Sequence, residues 1–184
     1  MAATVIINEF NGAPPGSKSD KTSGTVRFKN ADDATVDLIN PLVVPSAGQE
    51  YSFEKWLRLE SIDWGGATQI DNLRAYSDGA NNFGAGIKVW YDTTGTYQAP
   101  AIPNEANDPP ESSVGGSPQV AMTDFFLRTS GDPIDMDAIN AGPFTDGSPT
   151  IELGDFLVLV MEVETIASNG VLGAETLTFA YDEI

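Results

Sequence analysis

The chain has 184 residues, nine Lys and Arg against 27 Asp and Glu, a formal charge of -18, and neither cysteine nor histidine. This length buries one good core, and an apolar fraction of 41% excludes a disordered chain. Without cysteine there is no disulfide or thiolate metal site. Without histidine the usual general base, zinc ligand and hydrolytic triads are gone, and the charge opposes nucleic acid and anionic lipid.

The opening MAATVIINEF has no basic region and only a short apolar run, so no secretory signal is expected. No segment approaches the roughly 18 apolar residues of a membrane helix. The expectation is a soluble protein made in the cytoplasm.

In chain order, Thr4 to Phe10 is β-branched and reads as a first strand, followed by a polar Gly/Pro/Ser loop to Gly24. Residues 1–24 are therefore expected to be an N-terminal strand and flexible arm, and 25–184 a single β-sandwich domain. Lys18 and Lys21 lie in the arm, read first as solvated, with docking on an acidic partner as the other option. Thr25 to Lys29 and Ala34 to Ile39 both alternate and predict half-buried strands, the second ended by Asn40-Pro41.

Tyr51 to Thr93 holds all three tryptophans. From Ser52 to Asp63 the odd positions Phe53, Leu57 and Leu59 are oily, and the even ones place Glu54, Arg58 and Glu60 around Trp56. Ala67 to Tyr76 resumes with Ile70 and Leu73 three apart, which predicts a bulge or kink near Asn72. Ser77 to Gly86 is turn chemistry, and Ile87, Val89 and Tyr91 alternate as the next strand.

Tyr97 to Gly116 is proline-rich without alternation, a loop expected to lie across a neighbouring subunit. Ala121 to Arg128 reads as a strand or a single helical turn, and Asp132 to Asn140 as a short helix opened by Asp132-Pro133. Ile151 to Glu164 has no polar face between Phe156 and Met161, as expected of a strand covered on both sides. Glu175 to Asp182 alternates with Leu177, Phe179 and Tyr181 inward. The fold class is all-β, an antiparallel two-sheet β-sandwich with long Pro/Gly-rich loops, jelly-roll-like first and immunoglobulin-like second.

No constellation carries a catalytic mechanism. Asp132, Asp135 and Asp137 with Asn140 could offer oxygens to calcium, but the spacing is not an EF-hand and a capped helix with a solvated acidic face is the simpler reading. Glu105, Asp108 and Glu111 could flank a glycoside, yet close acidic pairs mean little among 27. Glycines 79, 84 and 86 sit in a hairpin connection with no helix after them. The expectation is no enzyme, no cofactor and no metal.

Four pieces carry a family resemblance: FEKWLRLE at Phe53 to Glu60, IDNLRAYSDG at Ile70 to Gly79, GAGIKVWYDTT at Gly84 to Thr94, and ETLTFAYDEI from Glu175. In pattern and order they resemble virion structural proteins of tailed bacteriophages, over about half the chain. The resemblance implies a capsid auxiliary or decoration protein on the outer head surface, with the major capsid protein as partner and self-association, a trimer being one option. It carries over no catalytic residue.

A cement protein adds buried area at capsomer joints, multiplied by copy number. Met1 to Lys21 and Tyr97 to Gly116 are the expected contact regions. Val5, Ile6, Phe10, Lys18 and Lys21 are candidates in the first, and Tyr97, Ile102 and Pro103 in the second, since apolar loop residues need cover. The alternative is a carbohydrate-binding or tail-associated adsorption module that uses Trp56, Trp64 or Trp90 as stacking platforms. Exposed tryptophans would favour it.

Overall fold

A computed structural model describes residues 1–103, 123–146 and 151–184. Its strands are β1 (Thr4–Asn11), β2 (Ser17–Asp20), β3 (Gln49–Tyr51), β4 (Lys55–Asp63), β5 (Gln69–Tyr76), β6 (Ile87–Thr94), β7 (Ile134–Asp135), β8 (Phe144–Thr145), β9 (Ile151–Glu164) and β10 (Thr178–Glu183). They form two antiparallel sheets packed as a β-sandwich. The larger runs β2-β1-β4-β9, with β3 continuing the line of β4 along β9, and β6 on the opposite edge of β9. The smaller places β10 on one side of β5 and both β7 and β8 on the other.

The apolar run of β9 is explained by cover on both faces. Leu153, Leu157, Leu159, Met161 and Val163 face the core between the sheets. Phe156, Val158 and Val160 join Phe10, Tyr51, Trp56 and Trp90 in a second, aromatic cluster on the outer face. Neighbouring strands keep the same parity: Leu57 and Leu59 inward against Trp56 outward, Ile87 and Val89 inward against Trp90 outward. Each fully buried large side chain contributes about 1.5–3 kcal/mol, so the outer cluster is a second core. The even-numbered face of β4, expected to be charged, is covered there: Trp56 is fully buried, and its Nε1 donates to Glu54 Oε2 at 2.9 Å.

Asn72, at φ 56°, marks the expected bulge. Between Arg74 and Asp71 the chain of β5 advances three residues while β10 advances two, Ala180 to Asp182. The bulge leaves Ile70, Leu73 and Ala75 in the core, and half-buried Leu177, Phe179 and Tyr181 pack on it from the C-terminal segment.

Three expectations are corrected. Thr25 to Lys29 and Ala34 to Ile39 form no ladder. Instead, three lysines gather the start of the second tract and the residue before it by their carbonyls: Lys55 donates to Asp33 O at 2.8 Å, Lys21 to Ala34 O at 2.6 Å and Lys29 to Thr35 O at 3.0 Å. With the carbonyls turned to the lysines, Val36 and Leu38 are left 53% and 66% exposed. Asp132 to Asn140 is not a helix either. Ile134 and Asp135 pair with β5, and the buried carboxylate of Asp155 accepts from the N–H groups of Ile139 and Asn140 at 2.9 and 2.8 Å, holding that backbone open.

Of the two readings of Ala121 to Arg128, the described part holds a single 3₁₀ turn, Phe125–Leu127, capped by Asp124, which accepts from Phe126 N at 3.1 Å. The N-terminal strand belongs to the larger sheet, paired with β4 from Thr4 to Phe10, and the polar loop after it returns as β2 against β1.

Candidate protein-contact surface

The eight expected contact residues divide sharply by environment. Val5 and Ile6 are half-buried in β1, and Val5 packs on the core between the sheets. Phe10 is 2% exposed and meets Phe156 edge-on at 5.0 Å, so it is a core residue and not a surface anchor. Lys21 is corrected likewise: its side chain is 8% exposed, 3.4 Å from Glu9 Oε2, and bonded to Ala34 O. Lys18 stays more open, though paired with Glu60 at 3.1 Å and Glu152 at 2.9 Å. Burial opposes its charge, but these two carboxylates outweigh that and raise its pKa.

Tyr97 turns inward, edge-on to Trp56 at 5.2 Å and tilted against Phe10 at 5.5 Å. Its hydroxyl donates to Gly12 O at 2.7 Å. Burial, followed by the charges of Asp32 and Glu54, pushes its ionisation above the usual phenol range, so the hydroxyl is a standing donor. Gly16 lies directly beneath the ring at φ 83°, where a Cβ would come within 2.7 Å of Tyr97 Cε1. Glu54 fixes the next stretch: its N–H donates to Ala101 O at 2.9 Å, and its Oε2 accepts from Ala101 N at 3.2 Å. Ile102 is 38% exposed, Pro103 is half-buried, and the remainder of the expected loop, 104–116, lies outside the described residues.

These contacts join two distant stretches into one surface. The turn Gly12–Pro15 and the strip Gln98–Ile102 are exposed except at Pro100, and Tyr97 ties them together from below. No Asp or Glu occurs in residues 11–19 or 93–103, in a chain that has 27. The nearest carboxylate beside the turn, Asp32, is occupied by Gly12 N at 2.8 Å and Asn11 Nδ2 at 2.9 Å. The result is a patch whose own residues are acid-free on a strongly anionic protein; the two carboxylates that reach it among the described residues, Asp32 and Glu54, are engaged by the N–H groups of Gly12 and Ala101.

Beside this patch, Asp92 on β6 has one carboxylate oxygen, Oδ2, buried without a hydrogen-bond partner. Burial is the main cause raising its pKa to about 6, Thr93 N–H opposes it, and the Glu54 charge adds to the rise. The folded value lies above the unfolded one of about 3.9. The stabilisation is therefore complete below pH ~4 and lost as pH rises through about 6. Asp92→Asn is expected to remove that slope and to stabilise the protein at pH 7.5 by about 1 kcal/mol, the partial solvation of the group limiting the gain. Urea melts from pH 4 to 8 check this.

The three tryptophans are buried, at 0%, 5% and 8% for Trp56, Trp64 and Trp90, and Trp90 Nε1 donates to Glu162 Oε2 at 2.6 Å. None offers a face to a sugar. Asp132 pairs with Arg128 at 2.6 Å. Asp137 donates its N–H to Asp135 Oδ1 at 3.1 Å. Burial, its hydrogen bond with Asp135, and the charges of Asp135 and Asp71 raise the Asp137 pKa, against the lowering effect of Leu73 N–H. Among the described residues no group of three or more acidic side chains is placed to hold a metal ion, and no helix is long and apolar enough to cross a membrane. Glu105, Asp108 and Glu111 lie outside the described residues.

Sequence reasoning missed a groove of about 810 Å³ between the inner face of the larger sheet and two irregular tracts. Ile7, Leu159, Met161 and Val163 line it from the sheet, and the segments 24–28 and 168–177 from the flanks. Its signal was present in TVRFK, whose alternation marks a strand that finds no ladder. The chain matches no protein-family model, no curated protein and no solved structure.

Proposed function

We propose that this chain is a non-catalytic structural protein of a tailed-phage virion, a decoration protein that binds the outside of the head shell. The family reading rests on the four strand-and-turn pieces described above. The observation that carries the docking role is the acid-free patch: Tyr97 unites the turn at Gly12–Pro15 with the strip at Gln98–Ile102. A surface of small, apolar and proline residues is what a cement contact needs, because it can be dried without stranding charges. The remaining anionic surface faces outward, away from packaged DNA. The buried tryptophans favour this reading over the sugar-binding alternative.

Ile102→Asp places a carboxylate in the patch at a site 38% exposed. Stability is expected to change by no more than about 0.5 kcal/mol, while binding to protein-depleted particles weakens by tenfold or more. Gradient co-sedimentation of the variant against the parent chain reads both. Parent-level binding by the variant would reject the patch, and a parent chain that never sediments with particles but is retained on a glycan array would reject the virion role.

A further inference from the structure

The groove is flanked by two tracts with an unusual shared property. Among the described residues, the backbone of Thr25–Phe28 and that of Ser168–Leu177 find no hydrogen-bond partner. Thr25 and most of Ser168–Leu177 are exposed, so water meets these backbone groups in the free chain; once the apolar groove is covered they need other partners, which a hydrocarbon ligand could not supply. An extended strand supplies both what the tracts lack and the apolar side chains that the groove accepts.

Charge narrows the occupant. Eight of the nine cationic side chains stand within 4.0 Å of a carboxylate. The ninth, Arg27, has none among the described residues, and it lines the groove. The incoming strand therefore carries an acidic residue between apolar ones. Among the described residues, Val36-Asp37-Leu38-Ile39 has that composition, is not used in a ladder and is open to a partner, with Val36, Leu38 and Ile39 exposed by 53%, 66% and 65%, whereas Met136 of the similar Met136–Ile139 stretch is buried. Leu38 also lies at the groove. A rim segment beside its own groove is placed to cross a twofold axis into the same groove of a second molecule.

We propose that a second copy of this chain covers the groove, each copy laying its Val36–Ile39 strand along Thr25–Phe28 of the other with Asp37 opposite Arg27. The exchange takes Asp37 from Lys29, which retains Asp33 at 2.8 Å and the Thr35 carbonyl at 3.0 Å. It buries the exposed aliphatic residues of the rim. Two chains of charge -18 repel each other, so added salt strengthens the dimer by screening. This inference stands independently of the virion role.

The test uses the full chain, which has no native cysteine. Light scattering up to about 100 μM is expected to show a dimer that forms more readily in about 0.5 M salt than in 0.1 M. Leu38→Glu is expected to weaken it at least tenfold with unchanged circular dichroism. When Thr25→Cys and Ile39→Cys variants are mixed and oxidised, the mixed disulfide dimer should dominate over like-with-like products. A monomer throughout, a dimer that Leu38→Glu leaves intact, or cross-links only between like variants would each overturn the proposal.

Discussion

Lys55→Met is expected to cost about 3–5 kcal/mol, because it leaves the Glu9 carboxylate buried without its closest cation. Both side chains are fully buried, 2.9 Å apart, on adjacent strands of the larger sheet. Glu9 shares its parity with Val5 and Ile7, and Lys55 with Leu57 and Leu59, so both occupy positions that would otherwise be core. Lys21, at 3.4 Å from the other oxygen, is too distant to replace the lost hydrogen bond. The same substitution frees Asp33 O, which Lys55 holds at 2.8 Å, and loosens the tract that the three lysines gather. Thermal unfolding should move down by roughly 10 °C for a chain of this size. Glu9→Met combined with Lys55→Met is expected to recover much of the loss, since an apolar pair of similar volume strands no charge. A double variant as unstable as the single would place the cost in the Asp33 contact.

Gly154→Ala is expected to destabilise by about 4 kcal/mol, from three sources with one cause. Gly154 lies in β9 at φ 63°, where an added Cβ would come 2.2 Å from Met136 O and 2.9 Å from Leu73 Cδ2. It opens the bulge in which β9 advances four residues, Leu153 to Leu157, while β4 advances two, Leu57 to Leu59. That bulge directs Asp155 N to Met136 O at 2.6 Å and its carboxylate to Ile139 and Asn140. One extra methyl therefore disturbs the longest strand and the segment that docks across it. Gly48→Ala is the control, since φ there is 71° with nothing within 4 Å of the added Cβ, and it should cost only about 1 kcal/mol. Denaturant melts of the two variants separate steric conflict from backbone strain.

Where the sequence signal was redundant, the fold was legible. The unbroken apolar run of β9 indicated cover on both faces, and it has a core on each. Ile70 and Leu73, three apart, located the bulge at Asn72. Alternation in TVRFK and ATVDLI was misleading for a physical reason: it says nothing about whether a ladder partner exists, and while Val26 and Phe28 are covered by the core, Val36 and Leu38 are left exposed. The ion cluster was hidden for a related reason, because Glu9, Lys29 and Lys55 are unremarkable as isolated charges, and only their parity with core residues marks Glu9 and Lys55 as buried. Of the contact candidates, Phe10 was drawn inside by a partner far along the chain, Phe156, and Lys21 by Glu9 on the first strand of its own hairpin. Tyr97 turns inward onto Trp56 and Phe10 and reaches Gly12 O from beneath the proposed patch. The uniting of Gly12 with Tyr97 across 85 positions of sequence could not be read from either stretch alone.

The most direct test of the central claim is the location and orientation of this chain in a density map of intact particles. The expected result is density on the outer surface of the head shell, at capsomer joints, with Gly12–Pro15 and Gln98–Ile102 against the shell. Particles without this chain, or a bound chain whose acid-free patch faces solvent, would contradict the account.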